Sequence, residues 1–234
     1  PKNIMKKLKL GFDPSLFTNN NINKYFDNSF KLTSIENNLI DEIYQKKISK
    51  RKLFYSLTNK SVGESHQSKI IKISNKLQLK KVDYLFISSP ENVAWLMNIR
   101  GYDNPTSPIP NCRLIINKDK KIFLIAEEKI VSKIIKEKRF KKNQIINPKK
   151  FEHFVKNLNG NKFIIDSLSC SILHEKMIKS NFKIIEKNDP CYELKSIKNP
   201  TEIKGMIKAH IEDGLALTKF IYWIKNINKK KITE

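Results

Sequence analysis

A mixed α/β fold, with helices packed on a sheet, is what this sequence predicts, and three features predict it. Short apolar runs rich in Ile, Phe and Leu alternate with stretches of helical spacing between residues 65 and 187. Two apolar runs flank a polar turn, Cys112–Ile116 and Ile122–Ile125 around Asn117-Lys118-Asp119-Lys120, as a hairpin requires. At 234 residues and 39% hydrophobic content, the chain is long enough to bury a core without disulfide or metal staples.

Taken in order, residues 7–11 read as a short strand through Leu8 and Leu10, and Asp13-Pro14-Ser15-Leu16-Phe17 as a turn with Pro14 opening a helix. Residues 19–28 are polar, Leu32–Ile35 reads as a strand, and Asn38–Tyr44 has helical spacing. Residues 50–62 lack a clean period and read as a linker. Gly63-Glu64-Ser65 then precedes a helix whose apolar face takes Ile70, Ile73 and Leu77 with Ile71 and Leu79, lysines lying opposite. Val82–Ile87 is a buried strand. Pro90–Leu96 is a short helix with proline at its start, and a stiff loop with Pro105, Pro108 and Pro110 follows.

After the hairpin, helices are expected over residues 130–137, 151–158 and 171–180, and strands over Lys162–Asp166 and Phe182–Ile185. Asp189-Pro190 and Asn199-Pro200 bracket a second connection. From Thr201 a helix of about 25 residues carries Ile203, Met206, Ile207, Ile211, Leu215, Leu217, Phe220, Ile221 and Ile224 along one face. Such a face needs a partner surface that the rest of the chain hardly offers, so the helix reads as the entry to a further domain. The chain starts without Met and stops after a helical stretch, which reads as an interior fragment. No repeat of roughly 20 to 50 residues is present.

Charge is the loudest compositional signal. The formal net charge is +23, with 42 Lys against 4 Arg, spread along the whole chain together with abundant Ile and Asn. A charge of that size attracts polyanions. Base reading, however, favours Arg forks, and Lys, Ile and Asn share A/T-rich codons, so a codon-biased genome accounts for the composition without a specific nucleic-acid role. Cys112, Cys170 and Cys191 are odd in number and widely spaced, as free thiols in a reducing compartment are. No run of about 18 apolar residues or signal-peptide pattern occurs, and a soluble, cytoplasmic protein is expected.

Chemistry-bearing motifs are sparse. No glycine pattern cradles a phosphate, and no Ser or Cys nucleophile signature occurs. The histidines His66, His153, His174 and His210 stand singly, as surface or satisfied core residues. Asp41-Glu42 and Glu127-Glu128 are adjacent pairs with diverging side chains, better suited to solvent than to shared acid–base work. Residues 90–110 are unusual in holding a Trp, an Arg, a Gly and stiffening prolines. Arg100 there offers a planar fork for a carboxylate that lysine cannot copy, or else a bridge between helix and loop, and Trp95 reads as core.

The segment Ser89-Pro90-Glu91-Asn92-Val93-Ala94-Trp95-Leu96-Met97-Asn98-Ile99-Arg100-Gly101 resembles the middle domain of Xaa-Pro aminopeptidases, the aminopeptidase P branch of the creatinase and prolidase superfamily. Further stretches agree in order: Gly11–Pro14, Glu36–Ile43, Gly63–Ser65, and Lys195–Asn199 leading to Glu202–Gly214. The resemblance implies a creatinase N-terminal-like domain with a mixed sheet flanked by helices over residues 51–194. Residues 1–50 would be the C-terminal part of a similar first domain, and 195–234 the truncated start of a pita-bread catalytic domain. It implies an enzyme that removes an N-terminal residue preceding proline, and a fragment inactive by itself. Two divalent metal ions, usually manganese, serve the full-length family enzyme, and none of their ligands maps here; His210 resembles a helix histidine that is not a ligand. Arg100 with the loop to Pro110 is the substrate-binding candidate, as a wall of the cleft. The implied partner is a peptide with proline second, with neither specific nucleic acid nor membrane; a homodimer stays open. The competing classes are a non-catalytic protein-interaction module and a basic nucleic-acid-binding protein.

Overall fold

The computed structural model describes residues 9–26, 30–35, 37–44 and 52–227. The chain opens with β1 (Lys9–Phe12), α1 (Asn19–Tyr25), β2 (Lys31–Ser34) and α2 (Leu39–Ile43). β1 and β2 pair in parallel as a two-stranded sheet of their own. One expectation fails in this stretch: Pro14 lies in a turn, not at a helix start. The polar run 19–25, for which no element was expected, is helical. Thr18 explains both, because its hydroxyl accepts from Asn21 N and so caps α1 four residues after the proline. The expected strand residues Lys7 and Leu8, the lysine run 229–231 and the boundary near residue 50 lie outside the described residues.

The main body begins with β3 (Tyr55–Ser56) and α3 (Asn59–Val62), where a linker was expected. β3 exists because it pairs antiparallel with β5, a long-range partner that local periodicity does not announce. Next come α4 (His66–Leu79), β4 (Tyr84–Ile87), α5 (Pro90–Met97), β5 (Ile99–Arg100), β6 (Arg113–Asn117) and β7 (Ile122–Ile125). α6 (Glu128–Lys136), β8 (Ile145–Ile146), α7 (Phe151–Lys156), β9 (Lys162–Ile165), α8 (Ile172–Lys179) and β10 (Lys183–Glu186) follow. The chain then runs into α9 (Pro190–Ser196), a helix where only a connection was expected, and α10 (Pro200–Asn226).

The six-stranded sheet has the order β10-β9-β4-β6-β7-β8 and is mixed, as expected. β10, β9 and β4 are parallel, the β4–β6 and β6–β7 pairs are antiparallel, and β8 returns parallel to β7. Alternation sorts the side chains. Leu85, Ile87, Leu114 and Ile116 face α4, α5 and α6 in one core, while Tyr84, Phe86, Ile115 and Phe163 face α7 and α8 in the other. Both faces are covered, which is why β4 reads as an unbroken apolar run.

On α4 the inward face differs from the expected one. Ile70, Ile73 and Leu77 are buried, but Ile71 and Leu79 are exposed and Lys69 takes an inward place. α10 is also distinctive: Ile207, Ile211, Leu215, Phe220 and Trp223 along it are all exposed. Its anchored part is its start, where Asn199 caps Thr201 and Glu202 and donates to the Val62 carbonyl at 2.8 Å. Gly63, at φ +73°, ends α3 and leaves room for that cap.

Candidate functional site

The candidate site grows from the C-terminal end of α5. The last carbonyls of a helix have lone pairs to spare; here Ala94 O and Trp95 O accept from the Asn98 backbone N–H, and two cations reach the same oxygens. Arg100 Nη1 donates to the Ala94 carbonyl at 3.2 Å and to its own neighbour, Ile99, at 2.9 Å. Lys69 Nζ donates to the Trp95 carbonyl at 2.8 Å. Asn98 makes the turn between helix and strand in the left-handed conformation, with φ 51° and ψ 45°. Asparagine tolerates that region better than most residues. Its side chain is fully engaged, accepting from Lys69 Nζ and donating to the Glu64 carbonyl, both at 2.8 Å, while its backbone carbonyl accepts from Leu57 N at 2.8 Å.

Arg100 is half-buried on β5. Burial holds its guanidinium below the usual arginine value, with Tyr55 pulling the other way, and the group stays a cation at any physiological pH. Among the described residues no carboxylate forms an ion pair with it, and Nε and Nη2 have no hydrogen-bond acceptor. Arg100 thus ties the end of α5 to its own strand through one nitrogen, not to the loop that follows. Beside it the Tyr55 and Tyr102 rings lie 5.5 Å apart, with Lys133 over the first at 5.7 Å and Lys52 over the second at 4.9 Å. Burial and the neighbouring Tyr102 raise the Tyr55 phenol, and Arg100 opposes them.

The loop after Arg100 folds back on itself. Gly101 N donates to the Pro108 carbonyl at 3.1 Å, and Asn111 N to Asp103 Oδ2 at 2.7 Å. A side chain at Gly101 would meet the Pro110 backbone at 2.7 Å, so only glycine allows this closure. A shallow cleft runs between this loop and the start of α5, lined by Pro90, Glu91, Asp103, Asn104, Pro105 and Ile109. Arg100 stands at the opposite end of α5 and does not line it. The expected stretch of residues 90–110 thus splits into two surfaces, one acidic at the helix start and one cationic at its end.

Trp95 packs against the core only in part, and its Nε1 is buried without a partner among the described residues. The other sequence candidates resolve as structural. His66 meets Arg139 through Nδ1, and burial, with Arg139 and Lys69 nearby, brings it down to about 4. His174 lies 5.4 Å from Phe86 and 5.0 Å from Phe151, bonds Ser171 Oγ at 2.7 Å, and is brought to about 4 mainly by burial. His153 and His210 are exposed. Cys112, Cys170 and Cys191 are free and buried, and burial raises all three thiols, Cys170 to about 12. The pairs Asp41-Glu42 and Glu127-Glu128 are exposed. Sequence reasoning missed Lys69, which reads as one lysine among many; its spacing, one residue before Ile70 and four before Ile73, was the available signal.

Among the described residues, no group of three His, Cys, Asp or Glu side chains is placed to hold a metal ion, and no helix is long and apolar enough to cross a membrane.

Residues 45–202 match the creatinase/prolidase N-terminal domain family. The chain is 28% identical to Xaa-Pro aminopeptidase 1 of Dictyostelium discoideum over 95% of its own length and 38% of that protein's. A Penicillium rubens protein named "Probable Xaa-Pro aminopeptidase P" gives 28% identity over 96% of this chain and 39% of its own. Among solved structures, the X-prolyl aminopeptidase of Caenorhabditis elegans, described as "a cytosolic enzyme with a di-nuclear active site", superposes on 95% of this chain with a TM-score of 0.80 at 22% identity. That likeness shows a shared fold, and the chain again spans 38% of the other protein.

Proposed function

This chain belongs to the creatinase/prolidase N-terminal domain family, and from that premise we propose that it forms the accessory, cleft-building portion of a cytoplasmic metallo-aminopeptidase that removes an N-terminal residue preceding proline. The observation that carries the reading is alignment with Xaa-Pro aminopeptidases over 95% of the chain but 38% of the relative's length. Residues 1–50 are the end of a first creatinase N-terminal-like domain, 51–194 a second, and 195–234 the start of the catalytic domain. Two features support this division. β1 and β2 form a separate sheet, and α10 leaves the main body with its apolar side chains uncovered, ready to be covered by the catalytic domain.

In such an enzyme the metal pair supplies an activated water and a polarised scissile carbonyl. This chain's own contribution, in this reading, is peptide binding. Arg100 is the residue for it: a cation anchored on a helix end through Nη1, with the rest of its fork free for a peptide carbonyl or carboxylate. The partner is a peptide with proline at its second position.

The test is hydrolysis of Ala-Pro-Ala against Ala-Ala-Ala by the enzyme that carries this chain. Release of alanine from the first peptide alone is the expected result; equal rates, or none from either with divalent metal present, overturn the assignment. Arg100→Ala should raise KM roughly 10- to 100-fold, the loss of a charge-assisted bond, with metal content unchanged. Wild-type kinetics in that variant refute the role of Arg100.

A further inference from the structure

Lys69 is a cation sunk in the protein interior, and among the described residues no carboxylate is bonded to it. It is 1% exposed. Its ammonium is held by two neutral oxygens, Trp95 O and Asn98 Oδ1, and by the face of the Trp95 ring, whose centre lies 4.1 Å away. A buried charge ordinarily has a partner of opposite sign. The charged and titratable groups around this one come from four other segments and from the start of its own helix: Glu64 and His66 beside α4, Arg100 on β5, Cys191 on α9, Glu202 on α10, and Arg139 behind His66. Both nearby carboxylates are engaged elsewhere, Glu64 with Lys72 and Ser68, and Glu202 with the Asn199 backbone N–H.

We propose that Lys69 is a positioning residue for Arg100, holding Asn98 in its left-handed turn so that β5 presents the guanidinium in one fixed direction. The proposal rests on the reading of Arg100 as a peptide-binding group. Its basis is geometric. Asn98 lies two residues before Arg100 and is gripped on both sides, by Lys69 at Oδ1 and by the Glu64 carbonyl at Nδ2. Lys69 and Arg100 also close adjacent carbonyls of the same helix end, Trp95 O and Ala94 O, so a shift in one cation is felt where the other is anchored.

The grip is conditional on charge. Burial brings Lys69 down to about 8, with Arg100 acting in the same direction and Glu202 and Glu64 in the opposite one. Below that pH the ammonium is charged and attracted to the ring and the carbonyls. Above it the amine is neutral, the cation–π attraction disappears and the bond to Asn98 weakens. Arginine at this position stays charged throughout.

Two measurements test this. With Trp223→Phe, Trp95 is the sole tryptophan of this chain, and its emission should titrate with a midpoint near pH 8 and lose that titration in Lys69→Met. In the complete enzyme, KM for Ala-Pro-Ala should rise on the order of five-fold between pH 7 and 9.5, as a charge-assisted contact becomes a neutral one. Lys69→Arg should flatten that rise while metal content stays constant. Flat Trp95 emission from pH 6.5 to 9.5 overturns the proposal without requiring any Lys69 variant to fold. A KM that responds to Arg100→Ala yet is independent of pH overturns the role of Lys69 alone. Wild-type KM in Arg100→Ala overturns the reading of Arg100, and this role falls with it.

Discussion

Replacing Gly63 with alanine should loosen the attachment of α10, and the size of the effect follows from two terms. Gly63 sits at φ +73°, where a Cβ costs about 1–2 kcal/mol. That Cβ would also stand 2.3 Å from Asn199 Oδ1 and 2.7 Å from Thr201 Cβ, distances no rotamer of the new methyl can relieve. The cap must move away, and with it goes the bond from Asn199 Nδ2 to the Val62 carbonyl, worth about 1 kcal/mol. The sum is about 2–3 kcal/mol. Urea unfolding followed by far-ultraviolet circular dichroism measures the global loss, and hydrogen exchange of the Thr201–Ile203 amides reports the undocking. Asn199→Ala gives a comparison: it removes the same bond and the cap, about 1–2 kcal/mol, without strain at residue 63. A Gly63→Ala protein within about 0.5 kcal/mol of wild type, with unchanged exchange at the start of α10, would refute the reasoning.

Three further outcomes are expected. Phe86→Ala, at a fully buried strand position between Phe151 and His174, should cost about 3–5 kcal/mol in thermal or urea unfolding, because neighbouring rings on rigid elements cannot collapse into the space. His66 and His174 are each brought to about 4 from an unfolded value of 6.5, so the unfolded chain binds the extra protons. Their stabilisation is full above pH 6.5 and is lost as pH falls towards 4, at up to about 1.4 kcal/mol per pH unit for each; discounting His66 for its partial burial, unfolding free energies between pH 4.5 and 6.5 should show that slope, and His174→Gln should remove most of it. The thiols of Cys112, Cys170 and Cys191 are buried and raised, so a disulfide reagent at pH 8 should leave all three unmodified in the native protein and label all three in denaturant.

Most of the architecture was legible because the elements that sequence reveals are those whose period is set by one buried face. β4 and β7 are unbroken apolar runs, β6 carries Leu114-Ile115-Ile116 at its centre, the hairpin turn is marked by Asn117 and Lys120, and the apolar positions of α6 repeat at helical spacing. The misses share a cause. β3 is two residues long and exists through its pairing with β5, α1 depends on a Thr18 cap over a polar sequence, and α9 starts at Asp189-Pro190, a dipeptide that reads as a turn. Each is stabilised by partners distant in sequence or by one side chain.

The candidate site divides the same way. Arg100 could be singled out from sequence because arginine is rare in this chain and follows a short helix before a proline-rich loop. Its direction could not, since it depends on the position of the Ala94 carbonyl at the end of α5 and on the turn at Asn98. Lys69 was invisible among 42 lysines. Composition and local pattern determined the fold class and the free thiols, because these depend on residue type and near-neighbour spacing, while the family likeness came from the resemblance of residues 89–101 and the stretches around them. Only the tertiary structure decided which lysine is buried, because desolvation is a property of what packs around a side chain and not of the residue that carries it.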